Sequence, residues 1–202
     1  GIDKLQKYAS LFGLDRKSGV EIEEMDPHVS DTDAVRSSIG QGTNNYTPVQ
    51  LARYVTTIAN EGNCYNLTLI NQIKNVDGRV VYESDNVPEN KVDLTSSQWA
   101  VIKQGMRQMV RDHTSSSALI NQINVEVAGK TGTAEEDTTR PDHALFVSFA
   151  PYDNPEVSVT CVIPHGYTSG NAEELAGMIY AYMYDPEKLD TLDITGNNQM
   201  SD

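Results

Sequence analysis

Three β-rich runs near the C-terminal end restrict the fold of this sequence more than any other feature, at residues 125–134, 143–151 and 156–164. Short polar connections separate the runs, which favours antiparallel neighbours in one sheet. Apolar residues occupy both alternating sets of positions in the middle run, so we expect both faces of the sheet to be covered. The two sets are Leu145, Val147 and Phe149, and Ala144, Phe146 and Ala150.

Helical patterns precede and follow these runs. Thr47 and Thr95 each stand three residues before a glutamine, Gln50 and Gln98, an arrangement typical of a helix N-terminal capping box. We predict an α+β fold in which the antiparallel sheet packs against the C-terminal helix on one face and against helices such as 95–111 on the other. The last helix is expected to use an apolar stripe formed by Leu175, Met178, Ile179 and Tyr182.

The rest of the chain shows weaker patterns. Apolar spacing predicts a short first helix over residues 2–12, and Asp77-Gly78 predicts the turn of a small hairpin. Residues 14–45 are polar and irregular, so we interpret them as a surface connection. One domain over residues 1–185 and a polar, frayed tail over 186–202 are the expected organisation.

Charge and composition exclude several classes of protein. The 202 residues hold 15 Lys and Arg against 29 Asp and Glu, a net charge of −14, which argues against nucleic-acid binding. No run approaches the roughly 20 apolar residues of a membrane span, and no signal peptide opens the sequence. Any membrane anchor is therefore expected outside it. Cys64 and Cys161 have no metal-type spacing, and two buried small residues are favoured over a disulfide.

The clearest chemistry stands in the first β-rich run, at Lys130-Thr131-Gly132-Thr133. Lys130 supplies an ammonium, and the hydroxyls of Thr131 and Thr133, two residues apart in a strand, share a face. Gly132 allows a ligand to approach the backbone closely, and the next backbone N–H could meet a developing oxyanion. Such a strand edge suits a carboxylate. Lys-Thr-Gly alone is a weak motif, because a strand with a surface lysine and a glycine bulge also contains it.

Three further sequence strings precede Lys130 and make the Lys-Thr-Gly motif more specific. They are Ser38-Ile39-Gly40-Gln41-Gly42, Thr47-Pro48-Val49-Gln50-Leu51-Ala52 and Ile58-Ala59-Asn60-Glu61-Gly62. Together with residues 128–135 they stand in the order and register found in class B penicillin-binding proteins. Over residues 1–185 the chain resembles the C-terminal part of their transpeptidase domain, with its β-lactamase-like fold.

The resemblance implies a peptidoglycan D,D-transpeptidase that cross-links stem peptides, is acylated by β-lactams and acts at the extracytoplasmic face of the bacterial cell membrane. It implies that Lys130, Thr131, Gly132 and Thr133 dock the carboxylate of the substrate or penicillin, and that the Thr133 N–H joins the oxyanion hole. Other cell-wall synthesis proteins are candidate partners. The resemblance implies no cofactor and no metal.

The sequence departs from the family in one respect. No Ser or Thr is followed by Lys at the third position, so the nucleophile motif Ser-x-x-Lys is absent. The string Ser169-Gly170-Asn171 matches Ser-x-Asn but lies after Lys130, whereas the family places the functional one before it; we interpret Asn171 as a helix N-cap with Glu174 as its partner. We expect both missing motifs upstream of Gly1, and the chain to be inactive by itself.

Two alternatives stay open at this point. A β-lactamase or a membrane β-lactam sensor shares Lys-Thr-Gly, and a non-catalytic binding or scaffold module could keep the fold without the chemistry. The histidines His28, His113, His143 and His165 have no spacing typical of metal ligation, and Glu135, Glu136 and Asp137 are interpreted as a solvated loop rather than a cation site.

Overall fold

The computed structural model describes residues 1–113 and 116–191 of the chain. These residues form five helices and seven strands, with two short 3₁₀-helices at Ile120–Gln122 and Pro186–Thr191. The helices are α1 (Ile2–Leu11), α2 (Ala34–Ser38), α3 (Pro48–Ala59), α4 (Ser96–Asp112) and α5 (Ser169–Tyr184). The strands are β1 (Asn63–Cys64), β2 (Gln72–Lys74), β3 (Val80–Glu83), β4 (Asn90–Lys91), β5 (Ala128–Ala134), β6 (His143–Ala150) and β7 (Val157–Ile163).

The main sheet has three antiparallel strands in the order β5-β6-β7, as the β-rich runs predicted. Its register places Lys130 opposite Val147 and Ala134 opposite His143. The first strand begins at Ala128, three residues later than the run that predicted it. Within the described residues, β5 has a neighbour on one side only, so its other edge is open.

Helices cover both faces of this sheet, which confirms the α+β prediction. On one face α5 packs over Ala144, Phe146 and Cys161, all buried. On the other face, Val55 of α3 and Met106 of α4 form a second cluster with residues of the sheet, including Ala128 and Phe149. Fully buried Phe146 and Phe149 thus point to opposite sides of the same strand, because side chains alternate along it.

The face by which α5 covers the sheet differs from the prediction. Its buried side is formed by small residues, one tyrosine and one glutamate: Ala172, Glu173, Ala176, Gly177, Tyr180 and Ala181. Of the predicted stripe, Leu175, Ile179 and Tyr182 are exposed and Met178 is half-buried. Small side chains allow the helix to approach the sheet closely, and Tyr180 donates or accepts a hydrogen bond with Ser148 at 3.0 Å. The prediction was wrong because it assigned the larger apolar residues of α5 to the buried face.

Two of the three predicted helix caps are confirmed. Thr47 and Thr95 each form a complete capping box with the glutamine three residues later. The third is wrong, because α5 is capped by Thr168, whose side chain accepts from the Gly170 N–H, and Asn171 lies inside the first turn. Asn171 instead donates from Nδ2 to the carbonyl oxygen of Gly166 at 2.8 Å.

The segment 14–45 is more than the surface connection that its polarity predicted. It contains α2, and Glu24 is buried, with Oε2 accepting from both the N–H and the hydroxyl of Ser18 at 2.9 Å. The hydroxyls of Ser30 and Ser37 lie 2.6 Å apart, also buried. Most residues of the segment are exposed, as predicted for a surface connection, but the buried polar residues that satisfy one another were missed because they have the same composition as a solvated loop.

The remaining expectations have mixed outcomes. Strands β2 and β3 form the predicted hairpin around Asp77-Gly78, and both cysteines are buried and unbridged. Of the tail expected to fray, Pro186–Thr191 forms a 3₁₀-helix whose Leu189 packs against the core, contrary to the prediction. Residues 192–202 lie outside the described residues.

Candidate active-site strand and groove

The open edge of β5 carries the residues that the sequence singled out. The carbonyl oxygen of Thr131 accepts from Nζ of Lys130 at 2.8 Å, and that of Thr133 accepts from Nε2 of Gln41 at 3.4 Å. Both donors are side chains and neither belongs to the paired strand β6, which indicates that Thr131 and Thr133 turn their backbone groups to the open edge. Since the N–H and C=O of a strand residue point to the same side, the N–H of Thr133 faces that edge as well.

The side chains of this strand divide between the two faces of the sheet. Lys130 lies opposite Val147, whereas Thr131 and Thr133 lie opposite Phe146 and Ala144, on the face that α5 covers. The two threonines therefore share a face, in line with the alternation of the strand. The exposed Lys130 side chain nevertheless reaches the open edge, where Nζ lies 3.5 Å from Oγ1 of Thr131. Ammonium and hydroxyl thus meet at the edge.

The charge on Lys130 is available to a ligand. Among the described residues, no carboxylate lies within 4.0 Å of its ammonium, and its hydrogen bonds go to Thr131. An exposed cation held by a neutral carbonyl keeps its full charge for an incoming anion. The edge of β5 therefore combines one cation, a hydroxyl and outward N–H groups, which suits a carboxylate.

Two glycines of this strand differ in what surrounds them. A Cβ atom on Gly129 would lie 2.4 Å from Cζ of Phe146, so only glycine fits beneath that ring. A Cβ atom on Gly132 would meet nothing closer than Cβ of Leu145 at 3.4 Å, an ordinary contact. Gly129 is therefore required by packing, while Gly132 lies beside open space that a ligand could use.

Gln41 is a site residue for which the sequence motifs predicted no role. It lies in the loop after α2, where Gly42 has a φ of 98° and a Cβ atom would approach the hydroxyl oxygens of Ser30 and Ser37 to 2.8 Å. This packing fixes the loop, and Gln41 then reaches the carbonyl oxygen of Thr133. The Gly-Gln-Gly string could have drawn attention to the residue, but its partner across the fold could not be read from sequence.

A groove of about 690 Å³ lies on the sheet face that Lys130 shares. Its walls are mostly apolar and include Leu145 of the sheet, Phe12 directly after α1, and the phenol rings of Tyr46 and Tyr54. Burial raises the pKa of Tyr46 to about 12, and burial also raises the pKa of Tyr54. Both phenols are therefore neutral near pH 7, and the Tyr46 hydroxyl donates to Oδ1 of Asn44 at 2.8 Å.

The two Ser-x-Asn strings of the chain belong to elements other than β5. Ser169-Gly170-Asn171 forms the first turn of α5. Ser84-Asp85-Asn86, a second string that precedes Lys130, follows β3 in a separate two-stranded sheet, where the Ser84 N–H donates to the carbonyl oxygen of Asn71. Neither string stands on the strand that carries the lysine.

Comparison with known families decides the class of this domain. The sequence profile of the penicillin-binding protein transpeptidase domain matches residues 1–181, nearly the whole of the described chain. The chain belongs to this family. Together with the relatives below, the match identifies the chain as transpeptidase-domain sequence of a class B penicillin-binding protein.

Relatives of this transpeptidase domain come from distant bacteria. Penicillin-binding protein 2B of Streptococcus pneumoniae is 30% identical over 180 residues, covering 81% of this chain and 26% of the relative. Penicillin-binding protein 2A of Bacillus subtilis is also 30% identical, over 84% of this chain and 26% of the relative. Peptidoglycan D,D-transpeptidase PbpA of Mycolicibacterium smegmatis is 32% identical, over 82% and 35%. The chain thus spans about a quarter to a third of these relatives.

Solved structures agree on the fold of this transpeptidase domain. Penicillin-binding protein 2B of S. pneumoniae strain R6 superposes with a TM-score of 0.76 at 29% identity, over 91% of this chain and 33% of that one. Penicillin-binding protein A of M. tuberculosis, in an imipenem acyl-enzyme complex, has a TM-score of 0.77 at 26% identity, over 90% and 42%. The domain therefore has the β-lactamase-like fold. None of its described helices is long and apolar enough to span a membrane.

Proposed function

We propose that this chain is the C-terminal part of a peptidoglycan D,D-transpeptidase and supplies the strand that docks the anionic end of a stem peptide or a β-lactam. The open edge of β5, where the Lys130 ammonium meets the outward backbone of Thr131 and Thr133, is the observation that carries this proposal. Relatives named D,D-transpeptidases and a relative described as an imipenem acyl-enzyme support it.

Each residue of the edge has a distinct part in the proposal. Lys130 supplies the charge that attracts the substrate carboxylate, and the hydroxyls of Thr131 and Thr133 donate hydrogen bonds to it. Gly132 leaves space for the ligand backbone to lie against the strand. The N–H of Thr133 donates to the oxyanion of the tetrahedral intermediate, an interaction commonly worth about 3–4 kcal/mol in the transition state.

The serine nucleophile belongs, in this proposal, to a part of the protein outside these 202 residues. We assign the proton shuttle there as well, because Ser84-Asp85-Asn86, the Ser-x-Asn string that precedes Lys130, follows β3 in a separate two-stranded sheet. The sequence has no Ser-x-x-Lys string, and acyl transfer of this type requires an activated hydroxyl that attacks the carbonyl carbon. The isolated chain is therefore inactive, and it acts as the docking half of a site that the complete protein assembles. We place that protein at the extracytoplasmic face of the cell membrane, alongside other cell-wall synthesis proteins.

Covalent labelling by a fluorescent penicillin, followed on a denaturing gel, tests the proposal. The complete protein should retain a stable label, and the 202-residue chain alone should remain unlabelled. A label that the complete protein rapidly releases by hydrolysis would favour a β-lactamase. Failure of the complete protein to label would favour a scaffold module, and labelling of the isolated chain would contradict the assignment of the nucleophile.

A further inference from the structure

Three potential metal ligands meet at the end of β5, outside the edge described above. Glu136 lies in the loop after β5, His143 begins β6, and His165 lies in the loop between β7 and α5. Their ligand atoms all lie within 4.8 Å of one another, and they are the single group of three among the described residues. From sequence we interpreted Glu136 as part of a solvated loop and did not pair it with His165, which is separated from His143 by a whole strand.

We propose that Glu136, His143 and His165 form a binding site for a divalent zinc-type ion. Two imidazoles and one carboxylate are a ligand set that Zn²⁺ accepts, with a fourth position left to water. The proposal concerns a part of the domain separate from the docking edge and does not depend on the proposed function.

The distance between Glu136 and His143 is that of two ligands in a tetrahedral zinc site. Oε2 of Glu136 lies 3.2 Å from Nε2 of His143, while two ligand atoms of a tetrahedron with bonds of about 2.0–2.1 Å lie about 3.3 Å apart. The rings of His143 and His165 have centroids 4.8 Å apart, and two imidazoles on one zinc ion place theirs about 5 Å apart. Glu136 and His143 are already at coordination distance from each other, whereas the three ligand atoms together are spread over up to 4.8 Å, so His165 must move closer when an ion binds.

His165 is oriented as metal-binding histidines usually are. Its Nδ1 lies 3.1 Å from the carbonyl oxygen of Pro141, a group that can only accept, so this nitrogen carries the ring proton. Nε2 is then left with its lone pair for a metal, and such a hydrogen bond from the second ring nitrogen typically fixes a ligating imidazole. The backbone of His165 is left-handed, with φ of 53°, a conformation that non-glycine residues adopt rarely.

Zinc binding at His143 would change which ring nitrogen carries its proton. Its Nδ1 accepts from the backbone N–H of His165 at 3.0 Å, so in the metal-free form the ring proton is on Nε2, facing Glu136. A metal ion on Nε2 takes the place of that proton, which moves to Nδ1 and leaves the imidazole neutral. The His165 N–H then loses its acceptor and faces the new Nδ1–H, so this part of the loop must shift when the ion binds. Metal binding is therefore expected to release this one amide from its hydrogen bond.

The position of the site gives the ion a structural effect. His143 stands opposite Ala134, the last residue of β5, and also lines the groove. An ion held by all three ligands would tie the loop after β5 to the loop before α5, next to the end of the strand that carries Thr133.

Calorimetric titration of the 202-residue chain with Zn²⁺ tests the site. We expect one ion per chain, and at least about tenfold weaker binding for each of Glu136→Gln, His143→Ala and His165→Ala. His28→Ala is the matched control, since His28 also lies beside a carboxylate, Asp31, at 3.7 Å, and it should bind as the parent chain does. Equal losses in the control, or binding unaffected by all three substitutions, would overturn the proposal.

A second measurement separates metal binding from loss of folding. Amide exchange followed by NMR should show faster exchange at the His165 N–H after Zn²⁺ is added to the unsubstituted chain. Tetrahedral absorption bands with Co²⁺ should appear in the unsubstituted chain and disappear in Glu136→Gln, a substitution at an exposed residue that should leave the fold intact. An unchanged His165 amide in a chain that binds the ion would contradict coordination through Nε2 of His143.

Discussion

Nε2 of Gln41 donates a hydrogen bond to the carbonyl oxygen of Thr133 at 3.4 Å, between residues 92 positions apart in the sequence. The bond is long and exposed, so Gln41→Ala should change the free energy of unfolding by less than about 0.5 kcal/mol. It also holds a loop against the strand whose N–H we assign to the oxyanion. Penicillin labelling of the complete protein should slow by up to about tenfold, because small displacements of a positioned donor cost rate.

Gln72→Ala, at an exposed glutamine of β2, provides the control for this substitution. It should leave both the labelling rate and the urea unfolding curve unchanged. Equal rates for the Gln41 and Gln72 variants would show that the contact has no part in positioning the strand.

Removal of the Lys130 ammonium should affect ligand binding and leave the fold intact. The side chain is exposed, and among the described residues its hydrogen bonds go to Thr131 alone, so Lys130→Ala should keep the unfolding free energy within about 0.5 kcal/mol. Hydrogen bonds to charged groups contribute about 1.5–3 kcal/mol, which predicts penicillin acylation slower by roughly ten- to a hundredfold in the complete protein. The rate is measured by stopping the acylation reaction at a series of times, at several penicillin concentrations. Lys74→Ala on β2 is the control.

Local patterns predicted the elements of this fold well. The capping boxes at Thr47 and Thr95 form as expected, because the residues involved are three positions apart and need no knowledge of the rest of the chain. The three strands of the main sheet were predicted for the same reason. The position of Lys130 on an edge strand was also predicted from the first β-rich run. The contact of its side chain with Thr131 was not predicted.

Features that depend on distant partners could not be predicted. The prediction of the buried face of α5 was wrong, because close packing against the sheet places the small Ala176 and Gly177 inside and the larger Leu175 and Ile179 outside. The pairing of His143 with His165 likewise requires the sheet register, which sequence spacing does not contain. Buried polar networks are the extreme case, since their composition is that of a loop.

Arg53 shows how much stability such a hidden network can carry. The residue is 1% exposed and donates to the carbonyl oxygens of Tyr65 at 2.9 Å and Lys17 at 3.0 Å, as well as to the carboxylate of Glu89. Arg53→Ala removes the donor to two carbonyl oxygens and one of the two cations beside Glu89, which keeps Arg16, and it empties a buried volume; we expect a loss of about 3–5 kcal/mol in unfolding free energy. Urea unfolding followed by circular dichroism measures it.

Arg36→Ala is the comparison for this prediction, because Arg36 is exposed and lies on the short helix α2. Its unfolding free energy should stay within about 0.5 kcal/mol of the parent chain. A small loss at Arg53, similar to that at Arg36, would show that the buried guanidinium is not needed to join the segments around α3.

The raised pKa of Tyr46 predicts a loss of stability at alkaline pH. Burial raises this pKa from 10.0 to about 12, so the neutral phenol stabilises the fold fully below pH 10, and that contribution is lost as the pH rises through about 12. A shift of this size corresponds to at most about 2–3 kcal/mol, reduced by the solvent that reaches the side chain. Tyr46→Phe should lose its hydrogen bond to Asn44 at every pH but show a flatter decline above pH 10 in urea unfolding.

The two glycines of β5 permit a test that separates packing from ligand access. Gly129→Ala places a methyl group against the Phe146 ring, 2.4 Å from Cζ, and should lower the unfolding free energy by about 1–3 kcal/mol through overpacking. Gly132→Ala meets only an ordinary contact with Leu145, so its unfolding free energy should be unchanged or slightly raised. In the complete protein the Gly132 variant should nevertheless label more slowly with penicillin, because the methyl group occupies space that the ligand needs. A stable Gly132 variant with unchanged labelling would mean that the ligand does not lie against this strand.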